Sequence, residues 1–386
     1  MKTLKILVTG GGTSGHISPA MAIIKTIDAL AAAPGAAWKP QYLYLGGKRG
    51  LEREIVEAAG IAFAGVETGK LRRYFSRENF TDMARIPVGV LQSLGIVRRF
   101  APDVVLATGG YVAVPPVIAA RLLRVPILIH EQTVQVGLAN RINARCATRI
   151  ALSFESAMSE LTPNQQKRAF VSGNPVRPTI FGGNADAAKQ LAGFVADDDK
   201  LPTIYITGGS QGARVINRAT EDALSEILSL CRVIHQCGRQ ADEEQDYDRL
   251  ERAAAQLTPE LRRRYFVTRF VGEEIRDVFA LADLVVGRAG AGTIGEICAL
   301  GKPAIYVPLV PTGGDEQTRN AAVCVGAGAA RVVKQSELDG PKLVNELRET
   351  LADRAQLMKM GMAAQTLAKP HAAQELAEAV VQLAQA

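Results

Sequence analysis

Residues 285–321 read V-V-G-R-A-G-A-G-T-I-G-E-I-C-A-L-G-K-P-A-I-Y-V-P-L-V-P-T-G-G-D-E-Q-T-R-N-A. Leu284–Val286 is apolar as a buried strand requires, Gly287–Gly292 supplies a turn of small residues, and Thr293–Leu300 continues as a helix. Gly290 and Gly292 let a backbone come close to a bulky anion, and the free N–H groups at a helix start favour negative charge. Gly301-Lys302-Pro303 stops that helix, Ala304–Val307 is expected as the next strand, and the polar loop Pro308–Thr318 opens a further helix near Asn320. Two consecutive loops therefore leave the carboxyl ends of neighbouring strands, where open α/β sheets hold ligands. Glu296 cannot bind phosphate but can accept hydrogen bonds from a diol such as a ribose. Together the loops suit a nucleotide carrying a sugar.

Working outward, the same grammar governs the whole chain. Leu4–Thr9 reads as a buried parallel strand, and Gly10-Gly11-Gly12-Thr13-Ser14-Gly15-His16 turns into a helix with Ile17, Ala20, Ile23, Ile24 and Ile27 at its apolar positions. Strands and helices then alternate, including a helix over 79–100 expected to break at Pro87. This half closes at Gly173-Asn174-Pro175-Val176-Arg177. Residues 178–201 shift to Gly, Asn, Ala and Asp and read as a polar connector, in which Asp197-Asp198-Asp199 is a solvated run rather than a metal site. The alternation restarts at Pro202–Thr207, Gly208-Gly209-Ser210-Gln211-Gly212 and a helix over 213–230. The fold class is α/β, with two doubly wound Rossmann-like domains facing a cleft. The expected divisions are 1–177, a linker 178–201, a second domain 202–365, and a C-terminal helix 366–386 packing back on the first domain.

Composition excludes several classes. The 386 residues suffice for two domains, each with its own core, and the net charge of +6 is mild for a nucleic-acid binder. Five cysteines without paired metal spacing read as reduced thiols. No signal peptide is expected ahead of the first strand, and no apolar run reaches the length of a membrane span. The first turn fits the spacing Gly10-x-Gly12-x-x-Gly15 of a dinucleotide fingerprint. The second strand, however, ends Tyr44-Leu45-Gly46-Gly47-Lys48, without the acidic residue that would hold a ribose. The phosphate-loop pattern ending in Gly-Lys-Ser/Thr is absent as well.

Six separated motifs carry a closer resemblance. They are Gly10–His16 with Pro19, Gly109-Gly110-Tyr111-Val112, His130-Glu131-Gln132, Gly173–Arg177, Gly208–Arg214 with Asn217, and Asp315-x-Gln317-Thr318-x-Asn320-Ala321. In this order they resemble the MurG-type N-acetylglucosaminyltransferases. The resemblance implies a GT-B fold, no metal and no cofactor, and inverting transfer of GlcNAc from UDP-GlcNAc to lipid I, giving lipid II of peptidoglycan. It further implies donor contacts at Thr13, Ser14, Gly15, Thr133, Arg177, Ser210, Gln211, Val271, Gly290, Ala291, Gly292, Thr293, Glu296, Gln317 and Asn320. Two positions depart from the family pattern: Thr133 stands where an asparagine is usual, and Ala289 follows Arg288 where a serine is usual. Another GT-B enzyme, a glycolipid glycosyltransferase or a nucleotide-sugar epimerase, and a non-catalytic nucleotide-sugar binder remain as alternatives.

Glycosyl transfer to a hydroxyl needs a base for that hydroxyl and stabilisation of the departing diphosphate. Of the four histidines, His16 sits at a helix start, where the positive end of the helix disfavours imidazolium and so suits a general base. His130 is expected to be buried at a strand end, and His235 and His371 to lack companions. Between Glu67 and Arg99, Lys70, Arg72, Arg73, Arg77, Arg85, Arg98 and Arg99 alternate with Leu71, Tyr74, Phe75, Phe80, Leu91 and other apolar residues. That mixture suits an anionic membrane surface, placing the chain peripherally on the cytoplasmic face of the cell membrane, open to docking by other wall-synthesis proteins.

Overall fold

The computed structural model describes residues 1–386 except 49, 51, 70–77, 196, 197, 199, 240–244 and 311–314, and describes 14 and 78–84 by backbone alone. The chain divides into two compact units, Met1–Arg177 with Lys369–Ala386, and Pro178–Ala368. The first unit holds β1 (Lys2–Thr9), β2 (Trp38–Gly47), β3 (Ala62–Val66), β4 (Val104–Ala107), β5 (Ile127–Glu131), β6 (Arg149–Leu152) and β7 (Ala169–Val171). They form one parallel sheet in the order β3-β2-β1-β4-β5-β6-β7. The second unit holds β8 (Thr203–Thr207), β9 (Arg232–Gln236), β10 (Tyr265–Thr268), β11 (Leu284–Gly287), β12 (Ala304–Tyr306) and β13 (Ala330–Val332), in the parallel order β10-β9-β8-β11-β12-β13.

Both sheets are covered on both faces, so their strands are apolar throughout. Along β1, Leu4, Ile6 and Val8 point into one core and Leu7 into the other. Along β8 and β11, Ile204, Ile206, Leu284 and Val286 fill one face while Tyr205 and Val285 fill the other. The strand order reverses between β1 and β4 in the first sheet and between β8 and β11 in the second. Register pairs Val8 with Leu106 and Val286 with Ile206, so the loops leaving each pair start side by side. These reversals open the crevices where doubly wound sheets take ligands.

The elements differ from the sequence reading at four places. The helix Glu78–Phe100 runs through Pro87 without ending. Proline removes one backbone hydrogen bond, but Leu94, Ile96, Val97 and Phe100 beyond it are packed into the core and hold the helix on course. The helix expected over 213–230 is two, Arg214–Asp222 and Leu224–Leu230, separated at Ala223. Asp198 is not solvated: it is 4 % exposed and pairs with Arg263 Nε at 3.1 Å and Arg264 Nη2 at 2.9 Å. Burial pushes its carboxyl up, and the Arg264 and Arg263 guanidiniums more than offset this and hold it below the usual carboxylate range. Finally, His235 has companions, since its Nδ1 lies 2.9 Å from the Tyr265 hydroxyl and its Nε2 3.0 Å from Asn217 Oδ1. The four described cysteines other than Cys146 are buried, and all five are free thiols.

Candidate active site

In the first unit the loops after β1 and β4 interlock. Gly110 has φ +78°, and a Cβ there would collide with the Gly11 carbonyl and come within 3.0 Å of His16 Cδ2, so only glycine lets the two loops meet. The helix Ser14–Ala32 starts from Thr13 with no side-chain cap and no acidic residue in its first turn. By position, the N–H groups of Ser14 and Gly15 in its first turn have no intrahelical partner. His16 lies in that first turn, half-buried. Its Nδ1 is 2.8 Å from Gln132 Oε1 and 3.1 Å from the Thr108 carbonyl. Both neighbours are acceptors, so Nδ1 carries a proton, and in the neutral ring the lone pair lies on Nε2.

The His130-Glu131-Gln132 run at the end of β5 is wholly buried. Glu131 Oε1 accepts from the Thr133 backbone N–H at 3.1 Å and its hydroxyl at 2.9 Å, and Oε2 accepts from Gly137 N–H at 2.9 Å and Asn140 Nδ2 at 3.0 Å. The Thr133 hydroxyl also lies 2.6 Å from the Gln135 carbonyl, and the residue is 8 % exposed. Its one proton is shared between local acceptors. With that proton engaged, the oxygen lone pairs of Thr133 are what remain to accept.

In the second unit, Gly208–Ala213 follows β8. A Cβ at Gly212 (φ +79°) would strike the Cys237 carbonyl, so glycine is required where this turn crosses the end of β9. Ser210 is half-buried and Gln211 exposed. The loop is tied down by Gln236, whose Nε2 donates to the Gly209 carbonyl at 3.0 Å and whose Oε1 accepts from Val271 N–H at 2.9 Å. Val271 thus has its N–H already engaged. Gln236 was not singled out from sequence, where nothing marks a glutamine at a strand end.

After β11, Gly290 is the N-cap of the helix Ala291–Ala299, with no side-chain cap and no acid in its first turn. A Cβ added to Gly292 would meet nothing within 4 Å, so this helix start faces open space. Glu296, half-buried, lies one turn beyond Thr293 on the same side of the helix. Arg288 donates from Nη1 to the Val307 carbonyl at 3.0 Å, and its burial lowers its pKa. After β12, the helix Glu316–Gly326 begins at Asp315, which holds a left-handed conformation (φ 57°). Gln317 Oε1 accepts from Leu309 N–H at 2.9 Å. Asn320 is fully buried and donates to the Ala289 carbonyl at 3.2 Å. This bond braces the loop after β11 against the start of the Glu316–Gly326 helix. Arg177, at the end of the first unit, is half-buried.

Among the described residues no group of three or more His, Cys, Asp or Glu side chains could hold a metal ion, and no helix is long and apolar enough to cross a membrane. Of the basic stretch, residues 70–77 lie outside the described residues. The rest of it shows Arg85, Val88, Leu91, Arg98 and Arg99 exposed at helical spacing, with Leu91 68 % exposed.

Comparison with known proteins places these features. The glycosyltransferase family 28 N-terminal domain matches residues 6–152, and the glycosyltransferase family 28 C-terminal domain matches 203–376. The chain is 34 % identical over 351 residues to a UDP-N-acetylglucosamine–N-acetylmuramyl-(pentapeptide) pyrophosphoryl-undecaprenol N-acetylglucosamine transferase of Clostridium botulinum strain Hall, covering 91 % of this chain and 92 % of the relative. It is 35 % identical over 375 residues to the protein of the same description from Treponema pallidum strain Nichols, covering 97 % and 94 %. Among solved structures, Acinetobacter baumannii MurG superposes with a TM-score of 0.73 at 28 % identity, covering 98 % of this chain and 99 % of that one. A UDP-GlcNAc 2-epimerase from Neisseria meningitidis superposes with a TM-score of 0.66 at 14 % identity, covering 98 % and 100 %, a likeness of fold alone.

Proposed function

The chain belongs to glycosyltransferase family 28, and from that premise we propose that it transfers GlcNAc from UDP-GlcNAc to lipid I, forming lipid II in peptidoglycan synthesis. The GT-B architecture and relatives of that description across more than nine-tenths of the chain support the reading. The carrying observation for the chemistry is the His16 ring, with Nδ1 held by two acceptors and Nε2 left basic.

His16 Nε2 takes the proton of the acceptor hydroxyl as its oxygen attacks the anomeric carbon of the donor sugar. The bond from that carbon to the diphosphate oxygen breaks, and UDP leaves with the electron pair. Attack opposite the leaving group inverts the anomeric centre. Donors aimed at the developing charge supply much of the rate in such transfers. The uncapped helix start Gly290–Thr293, with Ser210 and Gln211, serves this purpose for the diphosphate, and Arg177 adds charge. Thr13, Ser14 and Gly15 supply N–H groups in the first unit. Glu296 takes the ribose diol, Val271 lines the base, and Gln317, Asn320 and the Thr133 oxygen meet the sugar. The exposed basic and apolar stripe of the Glu78–Phe100 helix supports peripheral attachment to an anionic, cytoplasmic membrane surface.

The experiment is transfer of labelled GlcNAc to lipid I in detergent by wild type and His16→Ala. Loss of the base should lower kcat by roughly 10²–10⁴ with UDP binding unchanged. A folded variant with near-normal kcat removes His16 from the chemistry, and a wild type inactive on lipid I removes the acceptor assignment.

A further inference from the structure

We propose that Gln132, itself fixed by His130, is the positioning residue that sets the tautomer and orientation of the His16 ring. The inference rests on His16 being the base. It begins from a run of hydrogen bonds whose polarity is determined at every joint. At the buried end, His130 Nε2 lies 3.0 Å from the Gly173 carbonyl and 3.1 Å from Ser153 Oγ, so Nε2 carries the proton and donates. Nδ1 of His130 is then a bare acceptor, and Gln132 Nε2 sits 3.1 Å from it. The same amide nitrogen lies 2.6 Å from the Thr108 carbonyl and 3.2 Å from the His130 carbonyl. All three neighbours accept, so this end of the amide must be the NH₂ and the other end the oxygen; the flipped amide would set oxygen against two carbonyls. Oε1 is thereby presented to His16 at 2.8 Å and can only accept. His16 therefore holds its Nδ1 protonated, and in the neutral ring Nε2 is the nitrogen with the lone pair.

Three features make this a positioning device rather than incidental packing. Gln132 is 2 % exposed and His130 fully buried, so water has no ready access to either joint. The Thr108 carbonyl takes a hydrogen bond from Gln132 as well as facing His16, so Gln132 provides the shorter contact to the ring and also bonds to the other acceptor beside Nδ1 among the described residues. Burial pushes His130 down to about 4, the Gly173 bond opposing and His16 adding to the effect, so near pH 7 its Nδ1 lone pair is available to anchor the amide. An amide also orients the ring without charge. A carboxylate at the same point would stabilise the imidazolium, the wrong resting state for a base. The relay joins the His16, Thr108–Tyr111, His130 and Gly173 motifs, which lie far apart in sequence, into one hydrogen-bonded unit.

The test uses the full-length protein labelled with nitrogen-15 histidine, with His16 resonances assigned by their loss in His16→Ala. Wild type should show the Nδ1-protonated pattern at His16. Gln132→Met removes both functions of the amide. It should move those resonances toward a tautomer average and lower kcat about ten- to a hundredfold, as loss of an outer orienting partner does, with donor KM held within about twofold. Gln132→Glu keeps an acceptor facing Nδ1 but adds charge, so Nδ1 should stay protonated while the resonances shift toward the doubly protonated imidazolium and kcat near pH 7 falls. A folded Gln132→Met with unchanged His16 resonances and kcat overturns the proposal, as does a folded Gln132→Glu in which the proton leaves Nδ1 of His16. If His16→Ala retains normal turnover the base reading fails, while the resonances still decide whether Gln132 sets the ring.

Discussion

In the proposed reaction Glu296 and His16 act at different moments, and their loss separates recognition from chemistry. A ribose held by Glu296 is held in both ground and transition states. Glu296→Ala should therefore raise donor KM ten- to a hundredfold, the equivalent of about 1.5–3 kcal/mol, with little change in kcat. Steady-state kinetics across donor concentration checks this; a fall in kcat at unchanged KM would move Glu296 into the transition state. The place of His16 at a helix start was legible in the sequence, because a glycine-rich turn before an apolar-periodic run marks such a start. Gln132 was not, because its contact with His16 spans 116 residues and depends on which end of an amide faces which carbonyl. His235 was misread for a related reason. Spacing gives the side of a helix or strand, but not how deep that side lies or which remote Tyr265 or Asn217 will meet it there.

Strands and the turns after them were the most legible elements, since apolar runs bounded by glycine leave few alternatives. What the pattern could not weigh was a local signal opposed by tertiary contact. Pro87 argues for a helix end and loses to the core beyond it. The aspartate run argues for solvent, and Asp198 instead clamps Arg263 and Arg264 at the end of the Pro259–Arg262 helix. This clamp has a pH signature. The folded carboxyl is held below its ordinary value, so its contribution is complete above about pH 4 and is lost as pH falls through the lower, folded value. Asp198→Asn should melt lower than wild type at pH 7, by several degrees, and the gap should close in thermal scans taken progressively below pH 4. A gap that stays constant down to pH 2 would mean the carboxylate charge contributes nothing.

Across the whole molecule, two features set how it behaves as an object. The stripe Arg85, Val88, Leu91, Arg98 and Arg99 offers cations and apolar side chains to the same surface. At about 1 kcal/mol per cation near an anionic bilayer, Arg98→Glu with Arg99→Glu should weaken binding to anionic liposomes by at least roughly thirtyfold, with UDP affinity unchanged. Flotation at low salt measures this, and unchanged binding would make the stripe an ordinary solvated face. The C-terminal helix Ala372–Gln385 belongs to the first unit, where Leu376 and Val380 lie against Ile23, Ile24 and Ile27. Burial of those two side chains alone stabilises by roughly 3–6 kcal/mol, much of a domain's net stability. Deleting 369–386 should therefore raise hydrogen exchange throughout β1 and β4 while sparing β8 and β11; equal protection in both units would refute this. The same helix fixes an order of events on the ribosome. After Arg177 has been made, the first sheet must wait for some two hundred further residues, roughly 10–40 s of synthesis, before its last covering piece exists. The later-made unit is thus the first that can close its core, and the earlier-made one spends that interval as a client for whatever shields nascent chains.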